Sequence, residues 1–195
     1  MSEAASCIIR GITTKYVPIS DLINLNQKVN KGSALEKQYY KYLDPRIAIP
    51  PEKYACKKDI LLNSLGQGTL GRIHFFYESS SNIVVDQHIT IIRALDNVST
   101  PEYLYLLLSS VEYKQYFESC VTGTTGMQML NISAVRNTEI PVPPFVLQKK
   151  LSEVTTPLFE TISSNVRENE TLALLRDSLL PRLMSGALDV SDVNI

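Results

Sequence analysis

The sequence predicts an α/β (α+β) protein, in which a β-rich domain with a few helices precedes a long C-terminal coiled-coil-type helix. Up to about residue 100, the apolar residues come in short runs rich in β-branched and aromatic side chains, as in strands. After residue 144, they recur at gaps of three and four, which is the spacing of one face of a helix.

The first pattern predicts a series of strands separated by turns. Gly66, Gly68, Gly71 and the polar run Ser79–Asn82 supply the turn residues. The predicted strands are Cys7–Ile9, Tyr16–Val17, Asp59–Leu62, Ile73–Tyr77, Ile89–Ile92 and, later in the chain, Glu139–Pro143.

A helix is predicted between the strand-rich part and the loop around Gly123. Thr100 suits an N-cap and Pro101 suits the first turn. Apolar residues then continue at helical spacing as far as Val111, so we expect one helix that ends before Gly123.

The second pattern predicts the longest helix of the chain, which Pro144 opens and Pro181 and Gly186 end. We expect Pro157 to kink it. Its apolar stripe is longer than one small domain can cover, which predicts that the helix associates with a second copy of itself; the alternative is that the stripe folds back on its own domain. The stripe consists of Leu151, Val154, Leu158, Ile162, Val166, Leu172, Leu175, Leu179 and Leu183.

Composition excludes several classes of protein. A formal net charge of −1 argues against a protein that coats nucleic acid through bulk positive charge, although localised contacts stay possible. Three cysteines without a CxxC pair favour a reducing compartment, so we expect a cytoplasmic protein. The longest apolar run, Tyr103–Leu108, is too short to span a membrane, and two isolated histidines predict no metal site.

Two short motifs suggest enzymes but lack a decisive feature. Gly66–Gly71 matches the GxGxxG pattern of dinucleotide sites, which requires a helix after the last glycine, whereas Arg72–Tyr77 has the composition of a strand. Val142–Phe145 ends like the DPPY-type motif of amino-methyltransferases, but Val142 offers no side-chain oxygen to hold an amino group. We therefore predict no catalytic residues and no cofactor.

Other segments resemble a known family. The passage Gly123–Leu151, the segment Asp59–Leu62 with Gly68–Arg72, and above all Leu174–Gly186 are similar to the specificity subunits of type I restriction-modification systems. Members of that family carry two target-recognition domains alternating with two long helices, which pack antiparallel and hold the recognition domains apart on a split DNA site.

The resemblance implies a half-length subunit. Residues 1–143 would form one target-recognition domain that binds DNA, and residues 144–195 one helical spacer and dimerisation region with a C-terminal tail. The chain would be either a half-subunit that forms a homodimer or the second half of a longer protein. The implied partners are double-stranded DNA, the modification (methyltransferase) subunits and, through the complex, the restriction subunits, while the chain itself would be non-catalytic.

Two loops are predicted to contact DNA from their residue types, and the resemblance around Gln128 strengthens the prediction for one of them. In one loop, threonine hydroxyls and backbone N–H groups could reach phosphates, and Gln128 could pair bidentately with an adenine edge. In the other, Arg72 could contact a phosphate or a guanine. The predicted DNA-binding residues are Gln67, Thr69, Arg72, Gly123, Thr124, Thr125, Gln128 and Asn131.

Plainer interpretations of these residues remain open. The segment Gly123–Gly126 could be an ordinary connection, Gln128 a solvated side chain, and Arg72 a surface or salt-bridged arginine. The whole chain could instead be a coiled-coil protein-interaction module, or a silent recognition cassette without DNA binding. A nucleotide-using enzyme would need a helix after Gly71.

Overall fold

The computed structural model describes residues 50–65, 70–77, 83–85, 89–123 and 128–187, together with the backbone of four short strands before residue 27. The chain divides into two compact units, Met1–Thr156 and Pro157–Ile195. A β-sheet region with short helices fills the first unit, and a long helix forms the described part of the second. The predicted α+β class is therefore confirmed.

The described elements alternate between short strands and helices before the long helix begins. The strands are β1 (Ile8–Ile9), β2 (Ile12–Thr13), β3 (Lys15–Pro18), β4 (Ile23–Asn26), β5 (Asp59–Asn63), β6 (Ile73–Phe76), β7 (Ile89–Ala94), β8 (Val121–Thr122), β9 (Met129–Leu130) and β10 (Glu139–Val142). The helices are a 3₁₀ turn (Pro51–Lys53), α1 (Pro101–Leu108), α2 (Val111–Ser119), α3 (Ile132–Arg136) and α4 (Phe145–Met184).

The main sheet has four antiparallel strands in the order β4-β7-β5-β6. Both of its faces are covered, which explains why all five residues of β5 are buried without the alternation of a half-exposed strand. On one face, Leu61, Phe76 and Ile91 belong to an apolar cluster. On the other, Tyr105 of α1 stacks on Phe75 with ring centroids 4.8 Å apart.

Two helices occupy the segment for which the sequence predicted one. Ser109 ends α1, and Ser110 starts α2 by accepting a hydrogen bond from the N–H of Tyr113. The prediction of one continuous helix was wrong because a serine that can cap the next helix stands where the apolar spacing continued. Thr100 does cap α1, as predicted.

A buried glutamine joins the first turns of α4 to the strands and short helices that precede it, which we call the sheet domain (residues before Phe145). The side chain of Gln148 is 1% exposed. Its Oε1 accepts from the backbone N–H of Thr100 at 3.0 Å, and its Nε2 donates to the carbonyl oxygens of Val98 and Pro143 at 3.3 and 2.9 Å. One side chain therefore links the start of α1, the end of β10 and the start of α4.

A buried carboxylate makes a second link. Glu102 of α1 is 1% exposed and forms an ion pair with Lys58 at 2.7 Å. Its oxygens also accept hydrogen bonds from Ser152 Oγ at 3.0 Å and Thr156 Oγ1 at 3.1 Å, both on α4. Burial opposes ionisation, but Lys58, the backbone and Ser152 outweigh it and hold the pKa of Glu102 below its ordinary value.

We expect Gln148→Ala to lower the free energy of unfolding by about 2–4 kcal/mol, because three backbone partners lose their hydrogen bonds in a buried place. Urea unfolding followed by circular dichroism measures this change. Gln115→Ala, at an exposed position on α2, is the matched control and should change the free energy by less than about 0.5 kcal/mol. Equal small effects at both positions would contradict a structural role for Gln148.

The lowered pKa of Glu102 predicts a pH dependence of stability. A carboxyl group with a lowered pKa in the folded state stabilises it above the ordinary value of 4.5, and this contribution is lost as the pH falls through the folded-state pKa. The unfolding free energies of the wild type and Glu102→Gln should therefore differ at pH 7 and converge in acid. A difference that is constant from pH 7 to pH 3.5 would contradict the ion pair.

Candidate nucleic-acid interface

The first candidate loop follows β5. The backbone N–H of Asn63 donates to the carbonyl oxygen of Arg72, and the N–H of Gly71 donates to the carbonyl oxygen of Asn63, both at 2.9 Å. These two hydrogen bonds extend the β5–β6 pairing beyond the strands. Gly71 has a φ of +78°, a conformation that side chains rarely adopt, so glycine suits this turn. The strand β6 follows it, as the sequence predicted, and not the helix that a dinucleotide loop requires.

The second candidate loop connects β8 and β9. These strands pair antiparallel, with Val121 opposite Leu130 and Thr122 opposite Met129. Gly123, at the described end of the loop, is exposed and has a φ of +113°. The pairing of β8 with β9 therefore brings the two ends of this segment together, while residues 124–127 lie outside the described residues.

Backbone pairing brings one end of the first loop next to one end of the second. Leu65 forms an antiparallel bridge with Met129, and the N–H of Leu130 donates to the carbonyl oxygen of Ser64 at 2.9 Å. The hydroxyl of Ser64 lies 2.7 Å from that of Thr90 on the neighbouring strand β7, so this junction is fixed to the sheet. The start of the first loop and the end of the second, about 60 residues apart in sequence, therefore lie side by side.

The predicted contact residues fall into three groups. Arg72 and Gly123 are exposed, and Gln128 is half-buried next to the Leu65–Met129 bridge. Asn131 is exposed, but its Oδ1 accepts from the N–H groups of Ser133 and Ala134 and caps α3, so only its amide nitrogen is available to a ligand. Gln67, Thr69, Thr124 and Thr125 lie outside the described residues.

Sequence reasoning missed Met129 as a surface residue beside this junction. Its side chain is 42% exposed, whereas the next residue, Leu130, is buried. The alternation of strand side chains explains the difference, but a two-residue strand is too short to show such a pattern in the sequence. Met129 adds an exposed apolar group next to Gln128.

The charged groups of the sheet domain differ in availability. Arg93 is engaged inside the protein, because its guanidinium makes a two-point contact with Asp59 at 2.7 and 2.6 Å, and this hydrogen bonding raises the pKa of Arg93. For Arg72, by contrast, no carboxylate of the described residues lies within salt-bridge distance. Arg72 is therefore the better placed of the two arginines to meet an anion from solution.

The described residues contain no group of three or more His, Cys, Asp or Glu side chains arranged to hold a metal ion. No helix among them combines the length and apolar character needed to cross a membrane. The junction offers hydrogen-bond donors, an amide and a cation, which are groups suited to contacts with phosphates and base edges.

The predicted stripe on α4 is largely exposed. Of its members, Leu151 and Leu179 are half-buried, and the other seven are between 39% and 68% exposed. The exposed members are Val154, Leu158, Ile162, Val166, Leu172, Leu175 and Leu183. A row of exposed apolar side chains at helical spacing is typical of a surface that a partner covers. The helix extends from Phe145 to Met184 and contains both Pro157 and Pro181, so the prediction that Pro181 ends it was wrong by one turn, and it ends just before Gly186.

Comparison with known proteins gives consistent matches. A family profile described as "Type I restriction modification DNA specificity domain" matches residues 12–174. The chain is 31% identical over 129 residues to the Type I restriction enzyme HindI specificity subunit of Haemophilus influenzae, covering 65% of the chain and 28% of that subunit. It is 36% identical over 90 residues to the MjaIX specificity subunit of Methanocaldococcus jannaschii, covering 46% of the chain and 19% of that subunit.

A solved structure shares the fold. The S subunit of a type I restriction-modification system from M. genitalium superposes with a TM-score of 0.59 at 20% identity, covering 92% of this chain and 48% of that one. The chain thus spans about half the length of this structural neighbour, and less of the two sequence relatives.

Proposed function

Because the chain belongs to the family of type I restriction-modification DNA specificity domains, we propose that it recognises a DNA sequence on behalf of a type I restriction-modification complex. The observation that carries the proposal is the junction of the two loops, where Leu65 pairs with Met129. It supports a single DNA-reading surface assembled from two segments. The alternative, a protein-interaction module without DNA binding, is not favoured, because the family match includes the sheet domain.

In this proposal, residues 1–143 form the target-recognition domain and residues 144–195 the spacer and dimerisation region. Double-stranded DNA binds to the first, and the modification subunits assemble with the chain in the cytoplasm. The chain itself is non-catalytic: methylation of adenine belongs to the modification subunits and cleavage to the restriction subunits.

We also propose that two copies of the chain associate through α4. The exposed stripe supports this, because apolar side chains that recur along a helix are stabilised by packing against a second helix. If two identical copies pair antiparallel, both recognition domains read the same half-site. The DNA target is then an interrupted palindrome.

Selection from a randomised pool of double-stranded DNA tests the recognition function. The full chain, with and without the modification subunit, should enrich a bipartite sequence with a fixed gap between its halves. Lack of enrichment in both conditions would reject DNA recognition and favour the protein-interaction module. Enrichment only with the modification subunit would show that the partner completes the binding surface.

Gln128→Ala should weaken binding to the selected site by about 1–3 kcal/mol, with little change on random DNA, because a bidentate amide reads one base. Fluorescence anisotropy with both DNAs measures the difference, and Gln115→Ala on α2 is the control. Arg72→Ala tests the cation in the same way. An equal loss on both DNAs would assign Gln128 to the DNA backbone, and no loss on either would remove it from the interface.

Leu172→Asp together with Leu179→Asp should convert the dimer to a monomer, because two carboxylates would enter the apolar contact between helices. Light scattering measures the molar mass. Leu174→Asp together with Ser178→Asp is the matched control: both are exposed positions of the same helix, four residues apart, on the side away from Leu172 and Leu179. A dimer that survives the first pair of changes, or is lost equally with the second, would contradict the stripe as the interface.

A further inference from the structure

We propose that Glu102, Lys58, Ser152 and Thr156 form a positioning clamp that fixes the sheet domain on α4, and so sets which gap between DNA half-sites the protein accepts. The inference rests on the proposed function, because it concerns the placement of a recognition domain on a split site. The four residues come from three elements: the turn before β5, the start of α1, and the second and third turns of α4.

Both oxygens of the Glu102 carboxylate in the clamp have hydrogen-bond donors. Ser152 and Thr156 are four residues apart, so they lie on the same side of α4 and face the same carboxylate. Ser152 Oγ donates to Glu102 Oε2, while Thr156 Oγ1 and Lys58 Nζ both donate to Oε1. Each oxygen of a carboxylate that is 1% exposed is therefore satisfied, and it is α4 that satisfies one of them.

The backbone at Lys58 supports a specific role for this residue. Its φ is +75°, a region that residues other than glycine seldom occupy. Glycine would adopt this conformation without strain, but it would leave the buried Glu102 without its cation. The N–H of Lys58 also donates to the carbonyl oxygen of Phe76 at 2.6 Å, which fixes the turn to β6.

Hydrogen bonds from two turns of α4 restrict the tilt of the sheet domain about the start of the helix. They do so more than apolar contacts would, because hydrogen bonds are directional and apolar packing is not. A tilt of about 10° across a domain of about 30 Å moves its far side by about 5 Å. One base pair occupies about 3.4 Å along DNA. Small tilts at the clamp therefore correspond to a change of gap by about one base pair.

The test uses Ser152→Ala with Thr156→Val, which removes both bonds from α4 and leaves the Lys58–Glu102 ion pair in place. The matched control is Thr155→Val with Ser178→Ala. These hydroxyls donate only to carbonyl oxygens of α4 itself, at Leu151 and Leu175. The full chain, assembled with the modification subunit, is assayed on DNA duplexes that carry the half-sites selected by the wild type, with gaps one base pair shorter, equal or longer.

We expect the wild type and the control to bind the duplex with one gap about tenfold or more tightly than the others. The clamp variant should show a difference in affinity of about threefold or less, with the half-site sequence unchanged. A merely structural role would lower affinity for all gaps equally and would overturn the inference. If the double variant is unstable, Thr156→Val is compared with Thr155→Val, its neighbour. Failure of the wild type to select any sequence would instead reject the proposed function, and the inference with it.

Discussion

The burial of polar groups is the constraint on which the contact between the sheet domain and the start of α4 depends. We call this contact, made by Glu102 and Gln148, the joint. An unpaired carboxylate or amide away from water is strongly unfavourable, so each such group must find partners wherever the chain supplies them. Glu102 and Gln148 find theirs across the joint rather than within their own helices. The start of α4, as far as Thr156, is therefore held to α1 by bonds with defined directions.

The same requirement organises the sheet. Asp59 is buried at the start of β5 and is satisfied by Arg93 of β7 and by the N–H of Cys56. At the other end of β5, the carbonyl oxygen of Ser64 accepts from Leu130 and so holds β9 against the end of the strand. Polar pairing therefore fixes both ends of β5, one of them next to Lys58 and the other at the junction of the two loops.

Beyond its first turns, α4 differs from the sheet domain in how its polar and apolar side chains are arranged. Beyond Pro157 its apolar residues are mostly exposed, and its hydroxyls bond to carbonyl oxygens of the same helix. The second unit therefore satisfies its polar groups locally but leaves its apolar groups for a partner. Together with a loop junction that offers an amide and a cation, this division supports the proposal of one surface for DNA and another for protein chains.

The sequence by itself determined the class of fold, the strands β5, β6 and β7, the start of α1 at Thr100 and the long helix α4. It did so because apolar spacing and capping are local properties of the chain. It also excluded a dinucleotide loop at Gly66–Gly71, since strand composition follows that motif. The family resemblance is confirmed by the family match over residues 12–174, which includes Asp59–Leu62 and Gly123–Leu151 and ends where the segment Leu174–Gly186 begins.

The division between α1 and α2 follows from a local cap at Ser110, whereas the tertiary structure alone decided the pairing of Leu65 with Met129 and the roles of Gln148 and Glu102. The last three depend on contacts between residues about 44 to 64 positions apart, which local spacing cannot encode. A buried glutamine and a solvated glutamine are the same letter in a sequence. Only the packing around each one decides whether its amide bonds to the protein or remains available to a ligand.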